Sequence, residues 1–287
     1  EMLWDEKILI IGFTIFFSLA AVFYSLSLPN IYQSSALLSP VSENESNQSS
    51  SNMGGLASLA GIDISRSGGK EAMAVKKLNT LSFFTDNIYP NIFLPDLMAI
   101  ESWNANANTT YYENNLFDNE SGEWVRNYQY PKSQIPSPQE SYKIFKKQYK
   151  VIEDEVTGFV TIKVKHQSPI TANAWTELIV DQINDFFRAK DKLEAQASID
   201  FLSVQMSQTS QTEIKQVIAA LLQQKMKQMT LIEANEFYVF AYLDPPMVME
   251  EKIEPVRSKI SILGALLGLL LGIIFVIVRN YFSKSKY

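Results

Sequence analysis

The sequence predicts an α+β protein in which two membrane-spanning helices flank an exported domain, and three observations predict it. Uncharged apolar runs lie near both ends, Ile8–Leu28 and Ile260–Val278, 21 and 19 residues long. Between them, Val160, Ile162 and Val164 alternate with Thr161, Lys163 and Lys165, the period-two signature of a half-buried strand. The stretch Ile170–Asp244 then runs 75 residues without Gly or Pro and is rich in Gln, Ala, Leu, Glu, Lys and Met, which favours long helices.

At 1.5 Å per residue each apolar run spans roughly 30 Å, the hydrocarbon thickness of a bilayer. A core helix of a soluble protein keeps a polar face; these runs keep only Gly, Ser and Thr. The first is too long for a signal-peptide apolar region, and no small-x-small cleavage site follows it. The chain opens on Glu1, so further residues upstream are expected. Arg279, Lys284 and Lys286 follow the second run without an acid, whereas the loop between the runs carries 21 basic and 28 acidic residues, a net of −7. A loop this long is exported regardless of its charge, so the short basic tail decides, and both termini are expected inside. Arg257 and Lys259 lie on the exported side, against that rule. Trp4, Tyr24, Tyr281 and Phe282 fall where interfacial aromatics are expected. Gly264, Gly268 and Gly272, spaced by four, put three glycines on one face of the second span. Such a face admits a close helix–helix contact, either between the two spans or between subunits.

Composition narrows the function classes. A net charge of −6 argues against a nucleic-acid partner. With no cysteine and one histidine, disulfides, Fe–S clusters, thiolate zinc sites and histidine-based metal centres are not expected.

The expected division is a cytoplasmic flank (1–7), a first span (8–28), an α/β base (29–169), a long helical hairpin (170–244), a return to the membrane (245–259), a second span (260–278) and a cytoplasmic tail (279–287). Within the base, Ile31–Pro40 reads as a strand leaving the membrane and Ser42–Asn52 as a loop. Met53–Ile62 reads as a packed helix or a mobile flap. Lys70–Phe84 reads as a helix, with Ala74, Leu78 and Leu81 at helical spacing. Asn87–Pro138 reads as irregular structure and Ser141–Gln148 as a short helix. Thr157-Gly158 marks a turn before the strand Phe159–His166, with Val151-Ile152 as its pairing partner.

In the hairpin, Trp175, Leu178, Ile179, Ile183, Phe186 and Phe187 form one apolar stripe. Ile214, Val217, Ile218, Leu221, Leu222, Met229 and Ile232 form another. Ser210 and Glu213 between them match a capping box, which divides the run into helices Ile170–Gln208 and Gln211–Tyr242. A slender antiparallel hairpin cannot bury all these side chains alone. Trp175, Ile179, Ile183, Phe186, Ile214, Ile218 and Leu221 are therefore expected to contact neighbouring subunits.

Chemistry-bearing motifs are sparse. Gly68-Gly69-Lys70 lacks the upstream glycine and the following Ser or Thr of a phosphate loop, and reads as a turn. His166 has no second histidine to share a metal. Glu153-Asp154-Glu155 reads as a solvated run beside a turn. The Asn-x-Ser/Thr triplets at Asn44, Asn47, Asn108 and Asn119 are of the kind Asn- and Ser-rich loops produce by chance. No nucleophile–base arrangement is visible, so no catalytic residue, cofactor or metal is expected.

The layout and several local patterns resemble a family. Thr157-Gly158, the strand after it, and His166-Gln167-Ser168-Pro169 with Ala172 entering the long helix are similar to the Wzz-type polysaccharide co-polymerases. These are the O-antigen chain-length determinants of Gram-negative bacteria. So are Ile199-Asp200-Phe201-Leu202 through Glu233 to Tyr238-Val239-Phe240, with Leu243-Asp244-Pro245 after it, which resemble the hairpin and descent of the shorter-hairpin members. Only Pro245, Pro246 and Pro255 stand where the family often has a proline-rich approach to its second span. The resemblance implies a non-catalytic, homo-oligomeric ring in the bacterial inner membrane, with its main domain in the periplasm. It implies a membrane O-antigen polymerase as partner, acting on undecaprenyl-diphosphate-linked glycan in the lipid bilayer, whose modal chain length the ring sets. Capsule or exopolysaccharide co-polymerases share the architecture but often carry a cytoplasmic kinase, and a two-span sensor needs a cytoplasmic output domain. Nine residues follow the second span, so a kinase of the capsule kind is expected to be a separate chain, and the same short tail counts against a sensor.

Overall fold

The computed structural model describes residues 6–41 and 69–284, with side chains to residue 279. The expectations for Trp4, Ser42–Asn52, Met53–Ile62, Asn44, Asn47 and Lys286, and for the side chains of Tyr281, Phe282 and Lys284, lie outside the described residues. The chain forms two compact units. One comprises Glu1–Gln33, His166–Pro169 and Met249–Tyr287, the other Ser34–Lys165 and Ile170–Val248.

The first unit is built on two apolar helices, α1 (Lys7–Ser27) and a C-terminal helix Arg257–Lys284. Both are long and apolar enough to cross a bilayer, which fits a membrane protein. They run antiparallel: Ile10 lies against Gly272 and Ala21 against Gly264. At one end Arg279 Nη1 donates to Glu6 Oε2 at 3.3 Å. At the other, Ile31 N–H donates to Glu254 O at 2.9 Å and Ile253 N–H to Ile31 O at 2.8 Å. Lys252 Nζ donates to Asn30 Oδ1 at 2.8 Å there.

The second unit is an α/β layer continued by a helical hairpin. In chain order its elements are β1 (Tyr32–Pro40), α2 (Lys70–Leu78), α3 (Leu94–Met98), β2 (Ile100–Asn104), β3 (Thr109–Tyr112), β4 (Phe117–Asp118), β5 (Glu123–Trp124), α4 (Pro138–Gln148), β6 (Tyr149–Glu153), β7 (Val160–His166), α5 (Pro169–Gln208), α6 (Thr212–Ala234) and β8 (Phe240–Asp244). The C-terminal helix of the first unit is α7. Four strands form one sheet in the order β6-β7-β1-β8. The predicted partner of β7 is present: Val151 pairs with Ile162 in an antiparallel ladder. The turn between them closes at Gly158, whose φ of +71° an L side chain adopts only with strain.

Alternation sorts the sheet's two faces. Ala36 and Leu38 of β1, Val160, Ile162 and Val164 of β7, and Phe240 of β8 are buried on one face. Against it pack Ala74 and Leu78 of α2, Phe83, Phe84, Phe145 of α4, and Trp175, Ile179, Val180, Ile183 and Phe187 of α5. Lys163 and Lys165 fall on the other face, as the alternation requires.

Five expectations are corrected here. The second hairpin helix ends at Ala234, not Tyr242, and Phe240–Asp244 is an edge strand paired antiparallel with β1. The helix expected over Lys70–Phe84 breaks after Leu78, and Thr80 Oγ1 caps a new turn by accepting from Phe83 N–H at 3.2 Å. The region read as irregular contains two small antiparallel hairpins, β2–β3 and β4–β5, around Phe93, Tyr112, Phe117 and Trp124. The Ser210/Glu213 capping box is not formed: α6 starts after Gln211 without a side-chain cap, although the break falls where it was expected. The helix expected over Ser141–Gln148 is longer. Ser137 Oγ accepts from Glu140 N–H at 3.3 Å and starts α4 at Pro138.

Candidate functional site

The glycine face of α7 is in contact within one chain. A Cβ on Gly264 would stand 2.3 Å from Ala21 Cβ, and one on Gly268 would stand 2.8 Å from both Phe13 O and Phe17 Cβ. On Gly272 it would be 3.2 Å from Ile10 Cα. Gly268, Gly272 and Val276, four apart, are buried along this line, whereas Leu266, Leu267, Leu270 and Ile274 are exposed. Within this chain the three glycines face the first span. Among the described residues, the line from Gly264 to Val276 carries no ionisable group, and what it offers is close backbone approach.

The hairpin residues divide into two classes. Trp175, Ile179 and Ile183 are covered inside the chain, and Phe186 packs against Phe83 at a ring separation of 6.4 Å. The expectation that Trp175, Ile179 and Ile183 meet a neighbouring subunit is thus corrected. The first half of α5 is the roof of the α/β core, and helical periodicity alone does not say which surface a stripe covers. Ile218 of α6 is also buried. Ile214 and Leu221 stay exposed, joined by Leu193, Phe201, Val204 and Val217. A concave apolar groove lies between the two helices, lined by Met206, Ala219, Leu222, Gln223, Met226, Lys227 and Thr230.

Polar side chains fix where the hairpin rises from the base. Asn184, buried on α5, accepts from the N–H groups of Tyr238, Val239 and Phe240 at 3.3, 2.8 and 3.0 Å. Its own Nδ2 donates to Phe240 O at 3.0 Å. One amide thereby satisfies four backbone groups of the descending chain, which is the accounting that a buried backbone demands. Beside it, Lys70 Nζ lies 2.9 Å from Asp191 Oδ2 and donates to Tyr238 OH at 3.2 Å. Tyr238 OH donates to Asp191 at 2.6 Å. Burial, followed by the bond to Asp191, pushes this phenol up to about 12. Arg188 Nη2 donates to Asn235 O at 2.9 Å, at the end of α6. Asn184, Arg188 and Asp191 were not named from sequence, and Lys70 and Tyr238 only as parts of longer patterns. A lone Asn or Lys in a helical run has no periodic signal.

The motifs doubted in sequence have structural roles. Asp154 accepts from the N–H groups of Val156, at 2.9 Å, and Thr157, and these bonds, Val156 first, hold its carboxyl below the ordinary range. Glu153-Asp154-Glu155 is thus the entry of the β6–β7 turn. His166 is buried at the end of β7, and its Nδ1 accepts from Ser168 N–H at 3.0 Å. Gly69 precedes α2 as its cap residue. Among the described residues no group of three His, Cys, Asp or Glu could hold a metal ion.

An α/β layer, a rising helical hairpin and two apolar terminal helices with a glycine seam define the class of the protein. Comparison narrows it. Residues 1–79 match the family of the Wzz chain length determinant protein. The match supports the Wzz-type co-polymerase resemblance read from the sequence. No curated protein matches the chain. A solved full-length bacterial polysaccharide co-polymerase is similar at 14% identity with a TM-score of 0.38, over 99% of this chain and 96% of that one. A fragment of WzzB, the polysaccharide co-polymerase from Salmonella Typhimurium, is similar at 12% identity with a TM-score of 0.34, over 78% and 100% of the two chains.

Proposed function

We propose that this chain is a non-catalytic polysaccharide co-polymerase that sets the modal length of a surface glycan, with lipopolysaccharide O-antigen as the product. The observation that carries the reading is the match of residues 1–79 to the chain length determinant family. The two apolar helices, the α/β layer and the hairpin fit that reading. In it, both termini are cytoplasmic and the second unit is periplasmic, as the basic tail after the second span favours. Several copies stand in a ring, and a separate membrane polymerase extends the undecaprenyl-diphosphate-linked glycan beside them. The exposed apolar residues of the hairpin, Ile214 and Leu221 with Phe201 and Val217, then become subunit contacts. Leaving them in water is unfavourable by about 25 cal/mol per Å².

The test is complementation. The chain is expressed in a Gram-negative strain whose own chain-length determinant is deleted, and its lipopolysaccharide is resolved on a gel. Clustering of an otherwise unregulated ladder around one length is the expected result. An unchanged ladder there and in the native host, with capsule or exopolysaccharide size altered instead, moves the assignment to those polymers.

A further inference from the structure

The four-stranded sheet has two edges, β6 and β8. They carry opposite charge.

On the β8 side, Glu177, Asp181 and Asp185 recur every fourth residue along α5 and form one acidic ridge. All three are exposed. Asn184, between Asp181 and Asp185 on α5, is hydrogen-bonded in both directions to Phe240 of β8, which brings this part of α5 to that edge. Burial first, then the charges of Asp181 and Glu177, raise the Tyr242 phenol of β8. Asp181 is itself raised by burial, then by Asp185 and Glu177. Compensation within the chain is slight. Asn173 Nδ2, a neutral donor, bonds Glu177 at 2.9 Å. Arg188 reaches Asp185 at 3.5 Å, while its Nη2 is committed to the carbonyls of Asn235 and Glu236. Exposed Asp244 at the end of β8 extends the acidic flank.

On the β6 side the balance is reversed. Lys143, Lys146 and Lys147 are exposed on α4, which runs straight into β6. Lys150 of β6 lies directly opposite Lys163 of β7. Lys146 stands over the Tyr142 ring at 5.5 Å. Among the described residues, no ion pair engages any of these five lysines, and the nearby Glu140 is taken by Arg126 and Lys132. Glu153 ends β6, and Asp154 and Glu155 follow it in the β6–β7 turn, where Asp154 accepts from the Val156 and Thr157 N–H groups.

Like charges at helical spacing four, or directly opposite on paired strands, repel one another. Each flank is therefore unfavourable by itself and supplies what the other lacks. Both belong to one chain and lie at opposite edges of one sheet. A partner carrying the complementary charge is thus already present as a second copy.

We infer that the Glu177/Asp181/Asp185 flank of one copy docks on the Lys143/Lys147/Lys150 flank of the next. The contact is heterologous and propagates head to tail, the geometry that closes a ring. It rests on the multi-subunit reading above and adds to it which surfaces meet. A contact held by exposed charges weakens with salt, since the Debye length falls to about 3 Å at 1 M.

The chain has no cysteine, so introduced thiols report this contact without background. One tagged full-length copy carries Asp181→Cys and a differently tagged copy carries Lys147→Cys. Both are expressed together in membranes and oxidised. The expected product is a disulfide-linked pair bearing both tags, with little product from either variant alone. Asp181→Lys or Lys147→Glu alone is expected to lower the assembled fraction in nanodiscs severalfold, and the two reversals together to restore it. Absence of the mixed-tag product from an assembled oligomer, or reversals without effect, overturns the docking and leaves length control standing. Cross-linking with the expected pattern, alongside a glycan length indifferent to the gene, removes length control and leaves the docking.

Discussion

Asn184 and Phe240, 56 positions apart, exchange a pair of hydrogen bonds: the amide Nδ2 donates to Phe240 O at 3.0 Å and Phe240 N–H donates to Oδ1 at 3.0 Å. This pair brings the chain back from the hairpin onto the sheet. Its register fixes β8 against β1, where Pro40 lies opposite Phe240. Asn184→Ala leaves three backbone N–H groups without their acceptor, and each orphaned buried group costs about 1–3 kcal/mol. With partial rescue by water, a net loss of roughly 3 kcal/mol is expected, read as a Tm lower by roughly 6–12 °C. Asn184→Asp keeps the acceptor and loses the donor. It is expected to fall between the wild type and Asn184→Ala in the same thermal scan.

The glycine seam predicts a steep size dependence. At Gly268 an added methyl meets backbone oxygen and Cβ atoms at 2.8 Å, which no rotamer relieves, so the helices must separate. Gly268→Ala is expected to cost about 1–3 kcal/mol as overpacking, and Gly268→Leu more. Gly12 on α1 meets nothing within 4 Å of an added Cβ, so Gly12→Ala is expected to be neutral. Cysteine cross-linking between Ile10 and Gly272 positions in the Gly268 variants measures the separation.

Charge holds the long connection before α4. Arg126 donates to both oxygens of Glu140 at 2.7 and 2.9 Å and to the carbonyls of Ser133 and Gln134. The Arg126 bond lowers the Glu140 carboxyl below its ordinary range. A carboxylate lowered by folding contributes stability above its unfolded value and loses that contribution as pH falls through its folded one. Glu140→Gln is therefore expected to speed proteolytic cleavage between residues 126 and 137 at pH 7. The difference from the wild type shrinks as pH falls below the normal carboxylate range. A difference that persists undiminished in acid contradicts the ion-pair account.

Burial separates two kinds of hairpin residue. Ile183 is fully buried and Leu221 is 40% exposed. Ile183→Asp puts an unpaired charge in the core and is expected to abolish the folded state. Leu221→Asp is expected to leave the thermal transition of the monomer nearly unchanged and to reduce the assembled fraction in nanodiscs. An equal loss of folding in both variants contradicts this division.

Much of the architecture was legible because it follows from periodicity. The spans, β1, β7 and the break near residue 210 each carry a local pattern, and the glycine register marked the seam. What was missed depends on tertiary context. Phe240–Asp244 lies in a stretch free of Gly and Pro, so no punctuation separates a five-residue strand from a continuing helix. The stripe from Trp175 to Phe187 has the same spacing whether it meets a sheet or a subunit. Asn184, Lys70 and Asp191 are polar residues whose meaning comes only from partners distant in sequence.

The most direct test of the account is the size distribution of surface polysaccharide in the native host. Lipopolysaccharide from cells lacking the gene, from the parent, and from the deletion carrying a plasmid copy is resolved side by side. The account predicts a clustered ladder in the parent, an unregulated spread in the deletion, and recovery of the cluster with the plasmid. The same ladder in all three strains, with capsule and exopolysaccharide sizes also unchanged, contradicts it.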